Sequence, residues 1–136
     1  MLSVRRLFFL ALLLAVLTTS GCGADPSLRS LERDPMATFA VRGTHLDHES
    51  KDKSGTTLGM PVHAKITRRF SLGAVAPDDA VAAAATYAKA HGWTTRYSRP
   101  SSFSADKRMD AVRAELLVAS GPVGGTDSLY IYLTAF

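Results

Sequence analysis

Hydrophobic and polar positions change their spacing several times along this chain, and each change marks an element. Residues 7 to 17 are apolar without a break, eleven in a row, directly after Arg5 and Arg6. A helix needs about 20 residues to cross a hydrocarbon core of roughly 30 Å, so this run is too short for a permanent span and reads as the centre of an export signal. Residues 23 to 38 lose the periodicity. Pro26, Pro35 and mixed charge describe a tether there, with Leu28 and Leu31 spaced for a short helical turn. From Val62 to Leu72 the pattern alternates, with Ile66, Arg68 and Phe70 on one face and Lys65, Thr67 and Arg69 on the other, as in a strand. After Pro77 the period lengthens. Val81, Ala84, Ala85 and Ala88 form a helical stripe, Asp78 and Asp79 stand at the positive end of the dipole, Lys89 at the negative end, and Gly92 follows as a left-handed cap. This predicts a helix over about 77–91.

The remaining stretches read as strands and turns. Phe39 to Leu46 begins as a strand and passes into a polar loop, His48 to Gly55, whose composition allows no burial. Trp93 to Arg99 and Ser102 to Arg108 are strands about an Arg99-Pro100 turn. Asp110 to Ala119 is rich in helix formers, yet Val112, Ala114, Leu116 and Val118 alternate with Arg113 and Glu115, which favours a strand. Gly121 to Asp127 is a loop. The closing strand puts Leu129, Ile131, Leu133 and Ala135 on one face and Tyr130, Tyr132, Thr134 and Phe136 on the other. Together these predict a single α+β domain over residues 39–136: two layers, an antiparallel sheet of about four to five strands, and one main helix packed on one face.

The apolar run ends in Thr19-Ser20-Gly21-Cys22, and Cys22 is the only cysteine of the 136 residues. These residues resemble the lipobox of bacterial lipoproteins. With the "ERDPMA" tether, the "HGW" helix end and the "LYIYLTA" terminal strand, the layout is similar to small uncharacterised lipoproteins of high-GC Gram-positive bacteria. The resemblance implies diacylglycerol on the Cys22 sulfur, removal of residues 1–21, acylation of the new amino group, and a lipidated tether over residues 22–38. It places the domain on the extracytoplasmic face of the cell membrane and brings no activity with it. Thr19 stands where the lipobox usually has leucine, with Leu17 two places back. Cleavage after Ala24 is the competing reading and would release a soluble protein. Two acyl chains, at about 0.8 kcal/mol per buried methylene, anchor stably where one does not. A lone cysteine excludes an internal disulfide.

Processing also changes the charge. The 16 basic residues lose Arg5 and Arg6, which leaves 14 against 12 acidic ones, a net charge of +2 rather than +4. That suits an anionic envelope surface and gives no nucleic-acid footprint. Lys65, Arg68, Arg69, Arg96, Arg99, Lys107 and Arg108 read as a solvated basic surface neutralised locally by Asp106, Asp110 and Glu115.

Three sets of residues carry candidate chemistry. The strongest is the outer face of the sheet, where Tyr130, Tyr132 and Phe136 would join Arg113 and Leu117, the aromatic-plus-arginine composition that interfaces enrich. Residues 39–46 or the tether covering that face would make it structural instead. His45, His48 and His63, with Asp47, Glu49 and Met60, suit copper or zinc by ligand type, although an extended chain points His45 and His48 to opposite faces. Catalytic motifs are absent: Ser101, Ser102 and Ser104 lack a nucleophile elbow, and Gly121, Gly124 and Gly125 lack the Lys-Ser/Thr of a phosphate loop. The sequence therefore predicts a non-enzymatic lipoprotein without a cofactor. It would be tied to the membrane through Cys22, bind an envelope protein, and have as its alternative a small-ligand or metal site in the His45–His63 region.

Overall fold

The computed structural model describes residues 23–136; residues 1–22, on which the expected signal segment and the expected lipidation of Cys22 fall, lie outside the described residues. The fold is α+β and its sheet is antiparallel throughout, with more strands than the periodicity predicts and a smaller share of helix. In chain order the elements are α1 (Pro26–Arg33), a 3-10 turn (Pro35–Ala37), β1 (His45–Asp52), β2 (Gly55–Thr57), β3 (Met60–Val62) and β4 (Ala64–Ser71). There follow α2 (Pro77–Ala90), β5 (Thr94–Arg99), β6 (Ser102–Met109), β7 (Val112–Val123) and β8 (Thr126–Ala135). Six strands pair in the order β1-β4-β8-β7-β6-β5, and β2 and β3 form a separate hairpin. β5 to β8 is a meander whose last strand returns to slot between β7 and β4.

Alternation explains the central strands. Along β4 every second residue is buried, Ala64, Ile66, Arg68 and Phe70, and β8 buries Leu129, Ile131, Leu133 and Ala135 in the same rhythm. β7 contributes Ala114, Leu116 and Val118, and β6 contributes Phe103 and Ala105. Both helices pack on this one face. α2 lays Ala80, Val81, Ala84, Ala85 and Ala88 against it, the stripe that the spacing predicts plus one alanine. Small side chains let the helix approach the strands closely. Gly92 follows at φ +85°, a left-handed conformation that favours glycine.

Three stretches depart from the sequence-based expectation. Residues 26–37, read as tether, are part of the fold: Leu28, Leu31, Met36 and Ala37 are core residues. Asp34 pins this segment, and its side chain is buried. One carboxylate oxygen accepts from the Met36 amide at 2.9 Å and from Trp93 Nε1 at 3.1 Å; the other accepts from Lys107 Nζ at 2.6 Å. The polar stretch from His48 onward belongs to strand β1, because an edge strand needs one backbone partner and no burial. Its charges also keep the edge from pairing with other chains. Finally, Gly121 to Asp127 is not a loop. β7 and β8 run on to a two-residue turn, Gly124 and Gly125, both at positive φ as a tight hairpin requires. Pro122 is tolerated there because β6 has already ended its pairing with β7 at Ala119.

Arg68 is the one arginine on the helix side of β4. It donates to Glu49 Oε2 at 2.9 Å and to the Phe39 carbonyl, and its guanidinium lies 4.9 Å from the Phe70 ring centre. Phe39 in turn stacks on Tyr87 of α2, and Val41 is buried. Residues 39–44 therefore close the helix-side core. Among the described residues no buried side-chain nitrogen or oxygen lacks a partner.

Candidate binding face

Among the described residues no helix or loop covers the opposite face of the sheet. Its side chains are the alternate set along each strand, and the registers place them in rows. The central row runs Thr67, Tyr132, Leu117, Ser104 and Tyr97 from β4 to β5. On one side lies the row Arg69, Tyr130, Ala119, Ser102 and Arg99; on the other, Lys65, Thr134, Glu115, Asp106 and Thr94. Tyr130 and Tyr132 are two residues apart on β8, and their rings lie parallel with centres 6.0 Å apart. Leu117 is 37% and Tyr97 44% exposed, so the row is apolar and open to water. Between Tyr97, Ser104, Leu117 and Tyr132 the sheet is hollowed into a shallow depression of about 520 Å³, closed at one end by Lys65 and Glu115.

The electrostatics of the two flanks differ. Arg96 and Arg113 alternate with Asp106 and Glu115 in a four-membered network, with the Arg96–Glu115 contact the shortest at 2.8 Å. The other flank carries Arg69 and Arg99, the latter 6.0 Å from the Tyr97 ring centre. Desolvation by its neighbours, and then the adjacent Tyr130, hold the Tyr132 phenol above its ordinary pKa.

Of the sequence-predicted face, the structure brings together Tyr130, Tyr132 and Leu117. Of Arg113 and Phe136, the first joins the face at its flank, in the network with Arg96, Asp106 and Glu115, and the second stands apart. Those two pair through backbone hydrogen bonds at the far end of β7 and β8, with Phe136 four residues, or about 13 Å, beyond Tyr132. The Phe136 ring lies against His63, 4.5 Å between centres, rather than in the aromatic row. Tyr97 and Arg96 complete the face and were not predicted. A bulge between Thr95 and Tyr97 turns both of these neighbours toward it, which breaks the two-residue period that a sequence reading follows.

The basic set does not gather into one patch. Arg68 is buried against Glu49, Lys107 is tied to Asp34, and Arg96 sits in the network above. The histidines behave in an unexpected way. A bulge at Asp47 puts His45 opposite Ser71 and His48 opposite Arg69, so both share the open face instead of pointing apart. His63 lies beyond the other end of β4, about 25 Å away along that strand. Among the described residues no three His, Cys, Asp or Glu side chains are placed to hold one metal ion. The copper or zinc reading thus has two histidines together and the third at the opposite pole.

Comparison of the chain with protein-family models, curated proteins and solved structures finds no match.

Proposed function

We propose that this chain is a lipoprotein anchored by Cys22 on the extracytoplasmic face of the cell membrane, and that it acts by binding an envelope protein across the open sheet face rather than by catalysis. One observation carries the binding part. Both helices, the 3-10 turn and residues 39–44 pack on one side of the sheet, which leaves the row of Tyr132, Leu117 and Tyr97 uncovered. Such a row offers flat aromatic area with hydroxyl tips, flanked by arginine, at low conformational cost. The lipobox-like residues Thr19 to Cys22 support the address.

Crosslinking and pull-down of the full-length protein from its native membrane, beside Cys22→Ala and Tyr132→Ala copies, tests this reading. A partner held by the unaltered protein and lost on Tyr132→Ala, with the domain still folded, is the expected result. A partner retained by Tyr132→Ala with undiminished affinity removes the face from the proposal. A central anchor is worth about 2 kcal/mol or more, roughly a thirtyfold loss of affinity.

A further inference from the structure

We propose that the β2–β3 hairpin is a second membrane contact, inserting Leu58, Met60 and Val62 into the leaflet beside the lipid on Cys22. The inference rests on the lipoprotein reading and adds to it a means of fixing how the domain stands on the bilayer. Every residue from Lys51 to His63 is exposed. Within that stretch Gly55 to Val62, GTTLGMPV, has no charged side chain. Leu58 is 94% exposed, Met60 65% and Val62 39%. Met60 pairs with Thr57 and Val62 with Gly55, so both apolar side chains share one side of the ribbon, with Leu58 at its tip. Leu58 also has a left-handed backbone, φ +50°, beside Gly59 at +78°. A water-exposed turn of that shape ordinarily takes asparagine, aspartate or glycine. A leucine there is unfavourable in water on both counts, and burial of its side chain in hydrocarbon removes one of them.

The chain's connectivity identifies the occupant. The hairpin leaves the sheet at Asp52 and Lys65, the last pair of β1 and β4. At its base the Asp25 carboxylate accepts from the Ser54 amide at 2.5 Å, and this bond holds the Asp25 pKa below its usual value. Only Gly23 and Ala24 separate Asp25 from Cys22, so the two α-carbons stand at most about 11 Å apart. A lipid on Cys22 therefore keeps the hairpin base at the bilayer surface, and three-residue strands of about 3.3 Å per residue reach into the interface. Half-exposed Phe136 lies at the same pole against His63. Of the eight exposed large apolar side chains among the described residues, four, Leu58, Met60, Val62 and Phe136, thus gather at the pole beside the anchor. Lys53 and Lys65 flank the hairpin, and among the described residues neither pairs with a carboxylate, which suits anionic headgroups.

The test uses the full chain carrying Leu58→Cys, produced in a bacterial host, with a nitrobenzoxadiazole label at position 58. The protein is reconstituted in phosphatidylcholine vesicles containing phosphatidylglycerol, and the mass of its N-terminal peptide reads the lipid on Cys22. A second copy carries the label through Asp127→Cys, an exposed position near the start of β8 and the opposite pole of the sheet. The expected result is blue-shifted emission and loss of quenching by aqueous iodide at 58, with full quenching at 127. A lipidated chain still quenched at 58 overturns the hairpin contact and leaves the anchor standing. A chain without lipid on Cys22 overturns both.

Discussion

Leu116 and Leu117 are neighbours on β7 and live in different solvents. Leu116 points to the helices and is fully buried; Leu117 points to the bare face and is 37% exposed. The same division runs along β8, where Leu129, Ile131 and Leu133 are sealed while Tyr130 and Tyr132 keep their hydroxyl edges in reach of water. The two faces differ in kind as well as in exposure. The covered face is apolar, aliphatic along β7 and β8 with Phe70, Phe103 and Trp93 among them, and its polar groups Arg68 and Asp34 are tied by direct hydrogen bonds. The bare face is aromatic in its middle row and charged along its flanks. One side of the sheet is committed to holding the fold, and the other is free to meet a partner.

The contrast breaks most readily at Asp34. Asp34→Ala leaves Trp93 Nε1 and the Met36 amide without their acceptor and removes the carboxylate on Lys107, which among the described residues keeps the His91 carbonyl. Asp34 is buried and Lys107 partly exposed, so the loss costs about 3 kcal/mol, the low end for breaking a buried pair, and urea unfolding of the variant measures it. Leu116→Ala follows at about 3 kcal/mol, from lost transfer energy and the cavity left behind. Leu117→Ala, one residue away, is expected within about 0.5 kcal/mol of the parent in the same assay. Equal costs at 116 and 117 would dissolve the distinction between the faces. Tyr132→Ala gives up a cross-strand partner and costs about 1 kcal/mol or less of stability, while it should abolish capture of the proposed envelope partner.

The smallest effect is a titration. Because the folded protein holds the Tyr132 phenol above its ordinary value, its proton is retained more tightly folded than unfolded. The contribution is fully present below about pH 10 and is lost as the pH rises through the raised value. Stability should therefore fall more steeply above pH 10 in the parent than in Tyr132→Phe, as equilibrium unfolding across that range will show. Equal slopes would mean that the phenol is as hydrated as in the unfolded chain.

How legible each part was follows from the physics of its element. The α2 stripe, the β4 and β8 alternations and the Tyr130/Tyr132 face were readable because a two-sided environment imposes a period on the residues that meet it. β1 was not, since an edge strand lying in water is held by backbone bonds that leave no mark on side-chain composition. The 26–37 segment hid for a related reason: Leu28, Leu31 and Met36 are too few to declare a packed helix until a sheet stands opposite them. Tyr97 escaped because a bulge shifts the phase of its strand.

By itself the sequence determined the class of fold, the main helix, the faces of the central strands and, through Thr19 to Cys22, the proposed address, all of which are local patterns in side-chain chemistry. Tertiary structure alone decided the strand order, which side the helices and residues 39–44 would cover, the reach of Asp34 to Trp93 and Lys107, and the gathering of Tyr97 with Tyr132. The decisive contacts join residues far apart in the chain, from 57 positions between Ser71 and Ser128 to 73 between Asp34 and Lys107. Local propensity does not encode such pairings; the burial of one shared core selects them.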